Sequence, residues 1–61
     1  MNTALITALD DHAVVLLKTR TIDDHDAIWS QVMTWLTDKD TATVNVKRYD
    51  QADELVQQFD V

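Results

Sequence analysis

The chain has 61 residues, 46% of them hydrophobic, and carries 5 Lys and Arg against 11 Asp and Glu, for a formal net charge of -6 and a pI near 4.3. Such a balance excludes a sequence-independent grip on nucleic acid, which depends on neutralising many phosphates with cations, and makes a basic protein the better electrostatic match. With no Cys there is no disulfide, thiolate metal site or thiol nucleophile, and a chain this short buries only about 60% of its unfolded surface, so one small domain helped by self-association is expected.

From Thr3 to Leu9, Leu5, Thr7 and Leu9 alternate as a strand would, although Ala4, Leu5, Ala8 and Leu9 also fit a helix. Asp10-Asp11-His12 decides for the strand, because two carboxylates suit a turn and oppose a helix C-terminus. The turn predicts a hairpin into a second strand, Ala13 to Thr21. There the unbroken run Val14, Val15, Leu16 and Leu17 is followed by alternating Lys18, Thr19, Arg20 and Thr21.

The central helix is expected over Ile22 to Thr37. On a helical wheel Trp35, Ile28, Val32, Leu36, Trp29 and Met33 share one wide arc, with Ser30, Gln31, Thr34 and Thr37 opposite. Asp23 is the expected N-cap, Asp26 the N3 residue and Ile22 the start of a hydrophobic staple. The arc is wider than one sheet face covers, so Trp35 and Met33, at its opposite margins, call for a second element or another chain.

After the polar break Asp38-Lys39-Asp40, Thr41 to Tyr49 alternates so that Ala42, Val44 and Val46 share one face, predicting a third strand. Asp50 and Asp53 then look like the cap of a last helix bearing Ala52, Leu55, Val56 and Phe59. The expected fold is therefore α+β, a small two-layer domain of ββαβα order with a three-stranded mixed sheet and two helices. The second and third strands are expected to be parallel neighbours, joined by a right-handed crossover.

Two clusters could carry chemistry. The first is a near-repeat in which Asp10-Asp11-His12 and Asp23-Asp24-His25 each offer oxygen and imidazole ligands. The strand between them holds the two motifs too far apart for one shared ion, and turn and cap roles account for both, so no metal site is expected. The second is basic: if the two strands are parallel neighbours, Lys18, Arg20, Lys47 and Arg48 gather at one sheet edge. The same edge holds Asp23, Asp24, Asp26, Asp50 and Asp53, which makes it a surface charge network. There is no Gly-rich phosphate loop, and Ser30 has no evident base, so neither catalysis nor a cofactor is expected.

No apolar run is long enough to span a bilayer and the N-terminus lacks the marks of a signal peptide, which points to a soluble cytoplasmic protein without membrane or direct nucleic-acid partners. The residues imply a protein-interaction module, expected as a homodimer. Its sharpest form is an inhibitor or antitoxin-like protein that covers the basic surface of a nucleic-acid-binding protein. Asp23, Asp24 and Asp26 would then stand in for phosphates and Trp35 would offer apolar contact, while Val14 and Leu16, expected on the sheet face that both helices leave bare, would pair two copies. A small subunit of a metabolic or metal-dependent enzyme is the alternative.

Overall fold

The computed structural model describes residues 1–61, and its element order is β1 (Thr3–Leu9), β2 (Val15–Ile22), α1 (His25–Leu36), β3 (Thr43–Tyr49) and β4 (Leu55–Asp60). The strands form one sheet in the order β2-β1-β3-β4, with every neighbouring pair antiparallel. This corrects the expected three-stranded mixed sheet with two helices. There is one helix, and the segment expected to be the second helix is β4.

A second correction concerns β2 and β3, which are not neighbours. β1 lies between them, pairing Leu5 with Arg20 of β2 on one side and with Lys47 of β3 on the other. Because both flanking strands are antiparallel to β1, they run in the same direction, but they never share a hydrogen-bond ladder. β1 has the best claim to the centre: it fills its helix side with Ala4, Ile6 and Ala8, all fully buried. The two alanines leave room for a helix to approach closely while Ile6 fills the space between them.

The two hairpins are built alike. At the first, Asp10 N–H donates to the Val14 carbonyl and Ala13 N–H to the Asp10 carbonyl, each at 3.0 Å, while the Asp10 carboxylate accepts from the His12 and Val14 amides at 2.9 Å. At the second, Asp50 N–H donates to the Glu54 carbonyl and Asp53 N–H to the Asp50 carbonyl, and the Asp50 carboxylate accepts from Ala52 and Glu54. Each turn ends on a left-handed residue, Ala13 at φ 62° and Asp53 at φ 61°, and each is followed by a register shift in the strand pair. This is the three-residue hairpin loop with a bulge, in which glycine ordinarily takes the left-handed position. The chain has no glycine, so the aspartate side chain supplies the extra hydrogen bonds that hold the turn.

Asp50 therefore caps a turn and not a helix. Ten residues make a marginal helix, whereas strand pairing satisfies the outer backbone of β3 and sets Phe59 opposite Val46. Residues on the helix side then include Val44 and Val46, both fully buried.

The helix begins one residue later than its sequence suggests. Asp24 is the N-cap, with an extended backbone and a carboxylate that accepts from the Ala27 amide at 3.0 Å. Ile28 and Val32, one turn apart, are its buried residues and pack with Ala4, Ile6, Val44 and Val46. The rest of the wide arc is shared out. Trp29, Trp35 and Leu36 lie half-buried against that core, and Met33 faces solvent. The helix crosses β1, β2 and β3, and Trp29 extends its reach to β4 by stacking on Phe59, with ring centroids 6.1 Å apart. Nothing covers the opposite face of the sheet.

Candidate protein-interaction surfaces

The three aspartates at the helix start have different surroundings. Asp23, whose side chain is only 8% exposed, receives two hydrogen bonds from Arg48, at 2.8 Å from Nε and 3.0 Å from Nη2. This forked pair matches the planar guanidinium to the carboxylate. The Arg48 hydrogen bonds, reinforced by its charge and opposed by burial, hold the Asp23 carboxyl below its ordinary value of 3.8, and the same pairing raises Arg48. Asp24 is committed to capping Ala27. Asp26 is exposed in the first turn, where its charge suits the helix dipole.

Around the ion pair lies a cleft of about 270 Å³, with Asp23, Arg48 and Gln57 on its polar wall and Ile28, Trp29 and Phe59 on its apolar one. Asp23, Arg48 and Gln57 satisfy one another, since Arg48 also donates to the Gln57 side-chain oxygen, and His25 completes the lining. Its volume lies below the roughly 300–1,000 Å³ of ordinary small-molecule sites. The pairing of Asp23 with Arg48 holds β3 to the segment that enters the helix. No spacing rule in the sequence links two residues so far apart.

The two Asp-Asp-His motifs occupy opposite ends of β2. At the first, ligand atoms of Asp10, Asp11 and His12 lie within 4.8 Å of one another. The Asp10 carboxylate already accepts two turn amides, and the exposed His12 Nδ1 stands 3.0 Å from Asp11. Zinc, calcium or magnesium titrated to micromolar levels should therefore leave the His12 and His25 resonances unmoved, or shift them without saturation. Saturable shifts would show that an ion outcompetes the turn.

Of the expected apolar contacts, Trp35 is half-buried against the core. Val14 and Leu16 are exposed, and with Val15 and Leu17 they make a run whose members are each 39–55% exposed. That run begins at the hairpin and continues along β2, an outer strand of the sheet. At the other outer strand, Leu55 and Val56 are exposed in the same way.

The four basic residues of β2 and β3 are divided between the faces of the sheet, and Lys39 lies in the connection after the helix beside Asp10 and Asp11. Cross-strand partners share a face, so Lys18 opposite Thr7, and Arg20 and Lys47 opposite Leu5, stand on the uncovered side, whereas Arg48, opposite Ala4, stands on the helix side. Arg20 donates to Thr3, reaches Asp53 at 3.5 Å and lies 5.0 Å from the Tyr49 ring centroid. No helix is long and apolar enough to cross a membrane. No family model matches the chain, and neither a curated protein nor a solved structure matches it.

Proposed function

We propose that this chain is a small protein-interaction module that acts as a homodimer joined along β2. The observation that carries this reading is the exposed apolar run that starts at Val14 in the hairpin and continues through Val15, Leu16 and Leu17 on β2, an outer strand of the sheet. Unpaired edges of this kind template pairing with another chain, and natural sheets ordinarily blunt them with charge. β2 is blunted only in its second half, by Lys18 and Arg20.

The order of residues favours a second copy as the partner. Read from the turn, the segment runs Asp10, Asp11, then Val14 to Leu17, then Lys18 and Arg20. An antiparallel copy centred on the apolar run sets apolar residues against apolar residues and directs each basic half toward the other copy's acidic turn. Such self-complementarity is what a twofold interface requires. β4 lacks it: Asp53 and Glu54 precede the strand, Asp60 ends it and no cation lies between them. Antiparallel self-pairing there would oppose carboxylates.

The remaining acidic surface suits a basic protein as a further partner, with the exposed Asp26 its contribution from the helix start. Asp23 and Asp24, engaged with Arg48 and Ala27, support this role less than their sequence suggests.

Sedimentation equilibrium at micromolar concentration is expected to give a dimer. Val14→Lys with Leu16→Lys should give a folded monomer, and Leu55→Lys with Val56→Lys should leave the dimer intact. A monomeric wild-type chain, or a dimer that survives the first pair and dissociates with the second, would refute pairing along β2.

A further inference from the structure

The uncovered face of the sheet holds a charge imbalance that pairing along β2 takes up only in part, since that pairing turns Lys18 and Arg20 toward the other copy's acidic turn and leaves Lys47 untouched. Acidic residues outnumber basic ones 11 to 5, yet three of those cations, Lys18, Arg20 and Lys47, stand on this face. The ion pairs of the chain are His12 with Asp11, Arg20 with Asp53 and Arg48 with Asp23, so neither lysine has a carboxylate within 4.0 Å. Both ammoniums are thus free to meet negative charge from outside the chain.

The surface between them is shaped as well as charged. A hollow of about 350 Å³ has Leu5, Leu9 and Val15 among its apolar lining and Lys18, Lys47 and Asn45 among its polar lining. Leu5 sits in register between Arg20 and Lys47, and strands two places apart in a sheet are about 9.6 Å apart. Carboxylates spaced along an extended chain can therefore meet the cations on either side while an aliphatic side chain settles on Leu5. Asp60 bounds the face at its β3–β4 corner, where the Asn45 side chain donates to it at 2.8 Å. Arg20 already holds Asp53, so the ligand's negative groups are directed toward Lys18 and Lys47.

We propose that this face is a second docking surface, for an extended acidic polypeptide segment with an aliphatic side chain among its carboxylates. A nucleic acid fits less well. Tight binding to a polyanion needs more cations than three, and the rest of this chain repels one. Single-stranded bases also stack on aromatic side chains, and Tyr49, the aromatic residue on this face, is already met by the Arg20 guanidinium. The aliphatic floor instead suits a Leu, Ile or Val side chain.

The proposal does not rest on self-association, and it can be tested on the full chain with a blocked synthetic peptide of alternating glutamate and leucine. Titrated into ¹⁵N-labelled protein at low salt, the peptide should shift the amides of Leu5, Thr7, Lys18, Asn45 and Lys47 and leave those of the helix unmoved. Lys18→Gln with Lys47→Gln, substitutions at solvent-accessible positions whose fold a thermal melt would check, should weaken binding about tenfold. Salt should weaken binding to wild type more steeply than to this variant. A glutamate-only peptide binding equally well would overturn the apolar contact. Shifts on the helix side, or none at millimolar peptide, would overturn the surface. An oligothymidylate of equal charge that binds the same residues more tightly would replace the polypeptide with nucleic acid.

Discussion

Ile6→Ala is expected to remove about half of the chain's stability. Ile6 is fully buried at the middle of the central strand, within a core whose buried apolar members are Ala4, Ile6, Ala8, Ile28, Val32, Val44 and Val46. Truncating a buried isoleucine removes its transfer free energy and opens a cavity, at a cost of roughly 2–5 kcal/mol. A domain of this size has about 3–9 kcal/mol in total. Neighbouring Ala4 and Ala8 have no side-chain length with which to fill the gap. Thermal unfolding followed by circular dichroism should show a melting temperature lower by about 20 °C, since each kcal/mol shifts small domains by about 4–8 °C. Met33→Ala, on the exposed side of the helix, should change stability by no more than about 0.5 kcal/mol. Similar losses at the two positions would mean that the helix is not seated on β1.

The second large effect is expected at Arg48. Replacing it by Ala leaves the Asp23 carboxylate, with its side chain 8% exposed, without its two hydrogen bonds. Losing hydrogen bonds to a charged group costs about 2 kcal/mol where the group stays partly shielded from water. Asp23→Asn keeps the shape and discards the charge, and should cost less.

The pH dependence gives the pair a distinct signature. The folded-state pKa of Asp23 is depressed, so its contribution is present above the unfolded value and is lost as pH falls through the folded one. Wild type and Asp23→Asn should therefore differ most at neutral pH and converge in the acid range below about pH 4. A stability gap that stays constant from pH 7 to pH 2 would show that the carboxylate makes no ionic contribution.

The elements legible in the sequence are those whose periodicity had one meaning. Val44 and Val46 alternate and form a strand, Ile28 and Val32 recur at a helical turn and are buried, and Asp10-Asp11-His12 makes a hairpin. Leu55, Val56 and Phe59 had two meanings. Their spacing fits a helical stripe, and what selects the strand is the unpaired outer edge of β3, a long-range fact. The comparison of Leu9-Asp10 with Tyr49-Asp50 held a usable signal, because an apolar residue followed by aspartate opens both turns. The absence of glycine concealed it.

The placement of charges was legible in part. Reading β2 and β3 as parallel neighbours gathers Lys18, Arg20, Lys47 and Arg48 at one edge, whereas the insertion of β1 separates the two strands, sets Lys18 level with Thr7 and puts Arg48 on the opposite face. The helix start was misread by one residue because adjacent aspartates can both cap. Pairing with Arg48 commits Asp23 to another role.

The place of β1 in the sheet also sets the order in which the chain can assemble. Each hairpin joins residues close in sequence and can form within about 1–10 μs, whereas β1 meets β3 by pairing Thr3 with Tyr49 and Leu9 with Thr43. That seam closes nearly the whole chain into a loop, and the loss of chain entropy comes before its contacts form. The meeting of the two hairpins, with α1 as the tether between them, is therefore expected to be the slow step of folding. A nascent chain that has not yet produced Thr43–Tyr49 leaves one flank of β1 unpaired.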